Sequence, residues 1–170
     1  MTETSQEYTS RLLGYLGDKD PIKIMSSTPK KLKKLIKDAS PKELQKRPKP
    51  EKWSVAEIIA HLAEVEIVLA YRMRMILSFN STPIQSMDQD LWMKNAGYII
   101  ADPKAAIEYF KVQRERNLAL LDSLSKEQWS QYGVHAERGK ESIAHIVNLY
   151  GGHDLNHLMQ IEAILKGKRK

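Results

Sequence analysis

An all-α protein built as a four-helix bundle is the fold that the sequence predicts, and three observations predict it. Apolar residues recur at intervals of three and four over four long stretches. Prolines and capping residues mark where those stretches begin. No segment keeps the strict alternation of a strand. Four apolar stripes must be buried against one another, and a bundle does this most economically.

The first helical region covers about residues 5–38, with breaks expected near Gly17 and at Thr28-Pro29. Ser40-Pro41-Lys42-Glu43 then reads as an N-cap, a first-turn proline and an acid at the third helical position. Ser54-Val55-Ala56-Glu57 is a capping box, and Trp53 before it can staple onto Ile58. From there Val55, Ile58, Ile59, Leu62, Val65, Leu69, Met73 and Ile76 form the stripe of the second long helix, to about residue 79. The connection over 81–102 is long enough to cross the bundle and should hold a short helix at 88–96. Asp102-Pro103 opens the third long helix, in which Arg114 interrupts the stripe of Ile107, Phe110, Leu118 and Leu121. Ser125 and Gln128 open another short helix, where Trp129 lies. Ile143, Ile146, Val147, Tyr150, Leu158, Ile161 and Leu165 mark the last long helix, with Gly167 as its stop.

One domain over residues 1–170, frayed at about 1–4 and 167–170, suits this length, and there is no internal repeat. Hydrophobic residues make up 42% and charged residues 28%, the balance of a globular chain with a solvated surface. There is no cysteine, which excludes disulfides, thiolate metal sites and a cysteine nucleophile. The first ten residues lack the features of a signal peptide and no apolar run approaches membrane-spanning length, so a cytoplasmic protein without membrane contact is expected. Net charge is +6. Much of the excess lies at Lys30, Lys31, Lys33 and Lys34, at Arg47, Lys49 and Lys52, and at Lys166, Lys168, Arg169 and Lys170. Solvated helix faces and a charged tail account for these runs better than nucleic-acid binding does, because stacking aromatics do not accompany the lysines.

The chemistry rests on histidine. His153 and His157 are four residues apart in HDLNH, so both project from one helix face, on the stripe that continues to Ile161. His61 lies one turn from Ile58 and Val65 on the inner flank of the second long helix. Three inward imidazoles are costly to bury without partners, and one metal ion would satisfy all three lone pairs. The spacing alone also suits a hydrogen-bonded histidine pair with a separate core histidine at 61. HDLNH is not the HExxH of metalloproteases, because Asp154 stands where the general base would be. No glutamate precedes any of the three by three residues, as a carboxylate di-iron site would require.

Other polar groups are weaker candidates. Glu64, one turn after His61, suits a fourth ligand, a group behind the ligands or a surface helix position. His135 in GVHAERG could border the pocket or lie on a surface loop, and Asp154 could orient a ligand or face solvent. His145, two turns from His153 and rotated by about a quarter-turn, should not share the ion. Gly151 and Gly152 each cost about 1 kcal/mol within a helix, and mark either a close approach or a kink.

RPKPEKWSVAEIIAHLAEVE (47–66), DQDLWMKNAGY (88–98) and GVHAERGKESIAHIVNLYGGHDLNHLMQI (133–161) together resemble the DinB-like superfamily. The resemblance implies an up-down-down-up bundle with metal ligands at His61, His153 and His157. The GVHAERG loop is similar to the subgroup of YfiT-like metal-dependent hydrolases and related bacillithiol transferases. From this follows an expected mononuclear three-histidine site that acts on a small-molecule substrate, by hydrolysis or by transfer of a low-molecular-weight thiol brought in as cosubstrate. Zinc and nickel both suit imidazole nitrogen, with zinc favoured on availability. The alternative is a non-catalytic, metal-stabilised, stress-related binding protein, which a fourth protein ligand closing the ion would indicate. A homodimer is the expected assembly, since symmetric dimers are the commonest.

Overall fold

The computed structural model describes residues 3–95, 98 and 102–167. Of the ends expected to fray, about 1–4 and 167–170, residues 1–2 and 168–170 lie outside the described residues, as does the end of the expected 88–96 helix, while Thr4 caps α1 and Gly167 belongs to α8. The helices are α1 (Ser5–Leu16), α2 (Pro21–Ile36), α3 (Pro41–Gln45), α4 (Val55–Ser78), α5 (Gln89–Asn95), α6 (Pro103–Asp122), α7 (Lys126–Ser130) and α8 (Ile143–Gly167). α8 is described as far as Gly167, where the stop is expected, and the residues that follow lie outside the described ones.

Capping sets the starts. Ser40, Ser54 and Ser125 each form a capping box with the residue three further on, and Asp20 and Asp102 cap helices that begin with proline. At Ser54 the box is reinforced from behind. The Glu57 carboxylate accepts from the Ser54 N–H at 2.7 Å and is gripped by the guanidinium of Arg47, so this member of a basic run is a cap clamp.

Cross-helix contacts give the directions. Met25 and Lys33 of α2 meet Arg114 and Glu108 of α6, which is antiparallel. Ala63 and Glu66 of α4 meet Gln113 and Asn117 of α6, which is parallel. His61 and Val65 of α4 meet His157 and Tyr150 of α8, which is antiparallel. The four long helices therefore run up, down, down, up, and the 81–102 segment crosses the bundle between the two parallel ones. One core cluster centres on Leu32, Ile59, Phe110 and Ile161, and another on Met25, Leu69, Met73 and Ile146. No described helix is long and apolar enough to cross a membrane.

Two local expectations are corrected. The helix does not break at Thr28-Pro29, because α2 runs through both. Pro29 has no N–H for the Met25 carbonyl, but Arg114 Nη1 donates to that oxygen at 2.8 Å and replaces the missing bond. Nor is the chain free of strands. β1 (Thr82–Ile84) pairs in parallel with β2 (Tyr132–His135), which forms an antiparallel hairpin with β3 (Gly139–Ser142). Strands of three and four residues are too short to show alternation. This sheet ties the crossover to the segment before α8.

A candidate metal centre of three histidines

His61 follows the capped start of α4 by two turns, and His153 and His157 occupy adjacent turns of α8. All three are buried, and their potential ligand atoms lie within 4.8 Å of one another. His153 Nε2 is 3.2 Å from His61 Nε2 and 3.1 Å from His157 Nε2. Two nitrogens on a tetrahedral zinc ion, each about 2.0–2.1 Å from it, would be roughly 3.3 Å apart. The observed spacings fall close to that.

Protonation sharpens the fit. His157 Nδ1 donates to Gln160 Oε1 at 3.0 Å, so its Nε2 faces inward as a lone pair. His153 Nε2 has one in-plane site, an N–H or a lone pair, so it can hydrogen-bond to only one of its two imidazole neighbours, and the other close contact is left without a shared proton. A cation between the three resolves that conflict. Burial pushes the His157 imidazole down to about 4. Burial and the neighbouring imidazoles hold His61 and His153 well below their ordinary range. Near neutral pH all three are in the uncharged form that binds metal.

The surroundings fix the rings. The indole of Trp53 packs 4.9 Å from the His61 ring, centroid to centroid, and Tyr98 lies 6.4 Å away on the same criterion. His61 Nδ1 and the Tyr98 hydroxyl are buried without a hydrogen-bond partner among the described residues. Gly151 and Gly152 lie directly before His153, where α1 and the start of α2 meet α8. A Cβ on Gly152 would overlap the Leu12 carbonyl, and one on Gly151 would come within 2.9 Å of Pro21. The paired glycines thus mark a close approach of helices.

Two cavities reach the cluster. One of about 130 Å³ touches His61 and His153 and extends to Arg72, Arg138 and Glu141. Another of about 610 Å³ touches His157, beside Trp53 and Gln160. Tyr8 of α1 and Gln89 of α5 border both.

The remaining candidates separate. Glu64 is half-buried, its carboxyl is raised by burial, and it stands outside the three-histidine set. His135 is buried on β2, and its Nδ1 accepts from the Glu137 N–H at 3.2 Å, away from the cluster. His145 is half-buried and also apart. Asp154 is fully buried, and Arg114 takes its carboxylate, so it influences His157 through its field alone. Arg114 does not simply interrupt a stripe but forms the centre of a buried network with Glu66 and Asp154. Sequence reasoning missed Gln160, Trp53 as a ring beside His61, and Arg72. Gln160 was within reach, since a residue three after a ligand on a helix lies beside it.

A model of the DinB superfamily matches residues 25–161. Among curated proteins, "Putative metal-dependent hydrolase YfiT" of Bacillus subtilis is 24% identical over 142 residues, 82% of this chain and 79% of that protein. A protein of Oceanobacillus iheyensis with the same descriptive name is 24% identical over 135 residues, 79% of this chain and 78% of its own. The solved structure of B. subtilis YfiT, described as a probable metal-dependent hydrolase with an unusual four-helix bundle topology, superposes with a TM-score of 0.82. That superposition covers 99% of this chain and 91% of the other at 18% identity, a likeness of fold. On the match over residues 25–161, the chain belongs to the DinB superfamily.

Proposed function

We propose that His61, His153 and His157 bind one divalent metal ion, zinc or nickel, and that the protein is a metal-dependent hydrolase or low-molecular-weight-thiol transferase acting on a small molecule. One observation carries this reading. Three Nε2 atoms converge beside a cavity, and among the described residues no fourth His, Cys, Asp or Glu joins them. Three protein ligands with an open position is the pattern of catalytic rather than structural sites.

When bound, such an ion supplies a Lewis acid and lowers the pKa of a water or thiol at its open position. The chain's own part is to present three neutral imidazoles. Gln160 holds the His157 tautomer, and Trp53 covers one side of His61. With no cysteine in the chain, a reacting thiol must come as cosubstrate. The names of the relatives support the hydrolytic form of the reaction. A homodimer and a cytoplasmic setting belong to the same proposal, and sedimentation of the purified protein tests the former.

Elemental analysis of protein purified without chelating steps, beside a His157→Ala variant, tests the site. About one zinc or nickel per chain is expected in the wild type, with most of it lost in the variant. Equal content in the two would exclude these histidines as the ligands. A panel of small esters and alkylating electrophiles, each with and without an added thiol, then separates hydrolysis from transfer.

A further inference from the structure

The cavity beside His61 and His153 follows one face of α4. His61, Val65, Val68 and Arg72 line it, at steps of four, three and four residues. Eleven residues of α-helix turn to within about 20° of three full revolutions and rise roughly 16 Å. On the antiparallel α8, Leu149 and Ile146 add apolar wall beyond His153. The lining thus passes from imidazole through hydrocarbon to guanidinium.

The charges at the far end are unequal. Arg138 and Glu141 neutralise each other through two hydrogen bonds, at 2.6 and 3.1 Å. Arg72 is half-buried and donates from Nη2 to the Gln85 carbonyl at 2.8 Å, and no carboxylate pairs with it among the described residues. A guanidinium that lines a partly apolar cavity without a counter-charge favours an anionic guest, and its planar donors match a carboxylate.

We propose that this cavity receives a small molecule with an apolar middle and a terminal carboxylate, and that Arg72 docks the carboxylate while the other end lies at His61 and His153. This rests on the metal site proposed above and adds the substrate class. The anion sets the orientation, so the reacting end meets the histidines.

The test uses the full chain loaded with cobalt(II), whose visible absorption changes when a carboxylate reaches the ion. Dicarboxylates are titrated beside monocarboxylates of equal length, hexanoate against adipate and octanoate against suberate. At least one dicarboxylate should bind about tenfold more tightly than its partner, the scale of one charge-assisted hydrogen bond. Arg72→Gln should bring that ratio to about one, and Arg72→Lys should retain part of it. A wild-type ratio near one for both pairs, or a ratio that Arg72→Gln leaves unchanged, overturns the proposal and leaves the metal site standing. Failure to take up cobalt, or equal uptake by His157→Ala, overturns the metal site and this proposal with it. The wild-type comparison needs no variant to fold.

Discussion

Arg114 on α6 holds Asp154 on α8 through paired hydrogen bonds, Nη1 to Oδ2 at 2.6 Å and Nη2 to Oδ1 at 3.1 Å. The same guanidinium reaches Glu66 on α4 at 2.8 Å and the Met25 carbonyl on α2 at 2.8 Å. One side chain therefore joins all four long helices of the bundle. Asp154 directly follows His153, so this contact also sets the rotation of α8 that turns His153 and His157 inward. Burial opposes the charge on Arg114, but Asp154 and Glu66 outweigh it and hold the guanidinium above its ordinary pKa.

Replacing Arg114 with methionine leaves two buried carboxylates without their cation and the Met25 carbonyl without a donor. A loss of about 3–5 kcal/mol is expected, the usual cost of breaking a buried pair from one side. Urea unfolding monitored by circular dichroism measures it. A loss below about 1 kcal/mol would mean that water or another group satisfies the carboxylates.

Gly152→Ala should destabilise the protein by about 1–3 kcal/mol, because the new Cβ meets backbone on α1 rather than a side chain that can move. The gain in helix propensity, at most about 1 kcal/mol, does not offset this. Gly14→Ala, in a helix and with nothing within 4 Å of its Cβ, should change stability in the opposite direction. Thermal melts of the two variants decide whether steric approach or propensity governs each glycine.

Gln160→Ala removes the acceptor on His157 Nδ1 and frees the ring to change tautomer. Metal affinity should fall about 10–100-fold, typical for a group behind a ligand, with little change in stability. Gln160→Glu keeps an acceptor in place and should retain affinity. Competition against a chromophoric chelator reads both. An unchanged affinity in the alanine variant would show that the bundle alone orients His157.

Glu57→Gln tests the clamp at the start of α4. Burial raises the Glu57 carboxyl, but Arg47 and the Ser54 donors outweigh it, so the folded value lies below the ordinary 4.5. Its contribution is therefore complete above about pH 4.5 and is lost as pH falls through the folded value. The variant should melt lower at pH 7, by an amount equivalent to about 1 kcal/mol for a weakened cap. The gap should close as both proteins are taken into acid, and a gap independent of pH would exclude the carboxylate as its cause.

The bundle was legible in the sequence because its signals are local. Ser40, Ser54, Asp102 and Ser125 satisfy N–H groups within three residues, and the apolar stripes repeat within a single turn. The inward direction of His153 and His157 followed from the same periodicity. Pro29 misled because its local effect is to break a helix, and the compensating donor lies 85 residues away on Arg114. The strands escaped notice because their runs of three and four residues are too short for any pattern, and β1 pairs with residues about 50 further along the chain.

By itself, then, the sequence determined the helices, the up-down-down-up bundle through its resemblance, and the three histidines as one candidate set. It left open what Asp154, Arg114, Gly152 and Arg72 face. Tertiary structure alone decided these: Asp154 turns to Arg114 and not to a histidine, Gly152 admits α1, and Arg72 lines the cavity that begins at His61. The physical reason is range. Capping and helical periodicity act over a few residues of one chain segment, whereas buried charge pairs, close helix crossings and cavities exist only when distant segments meet.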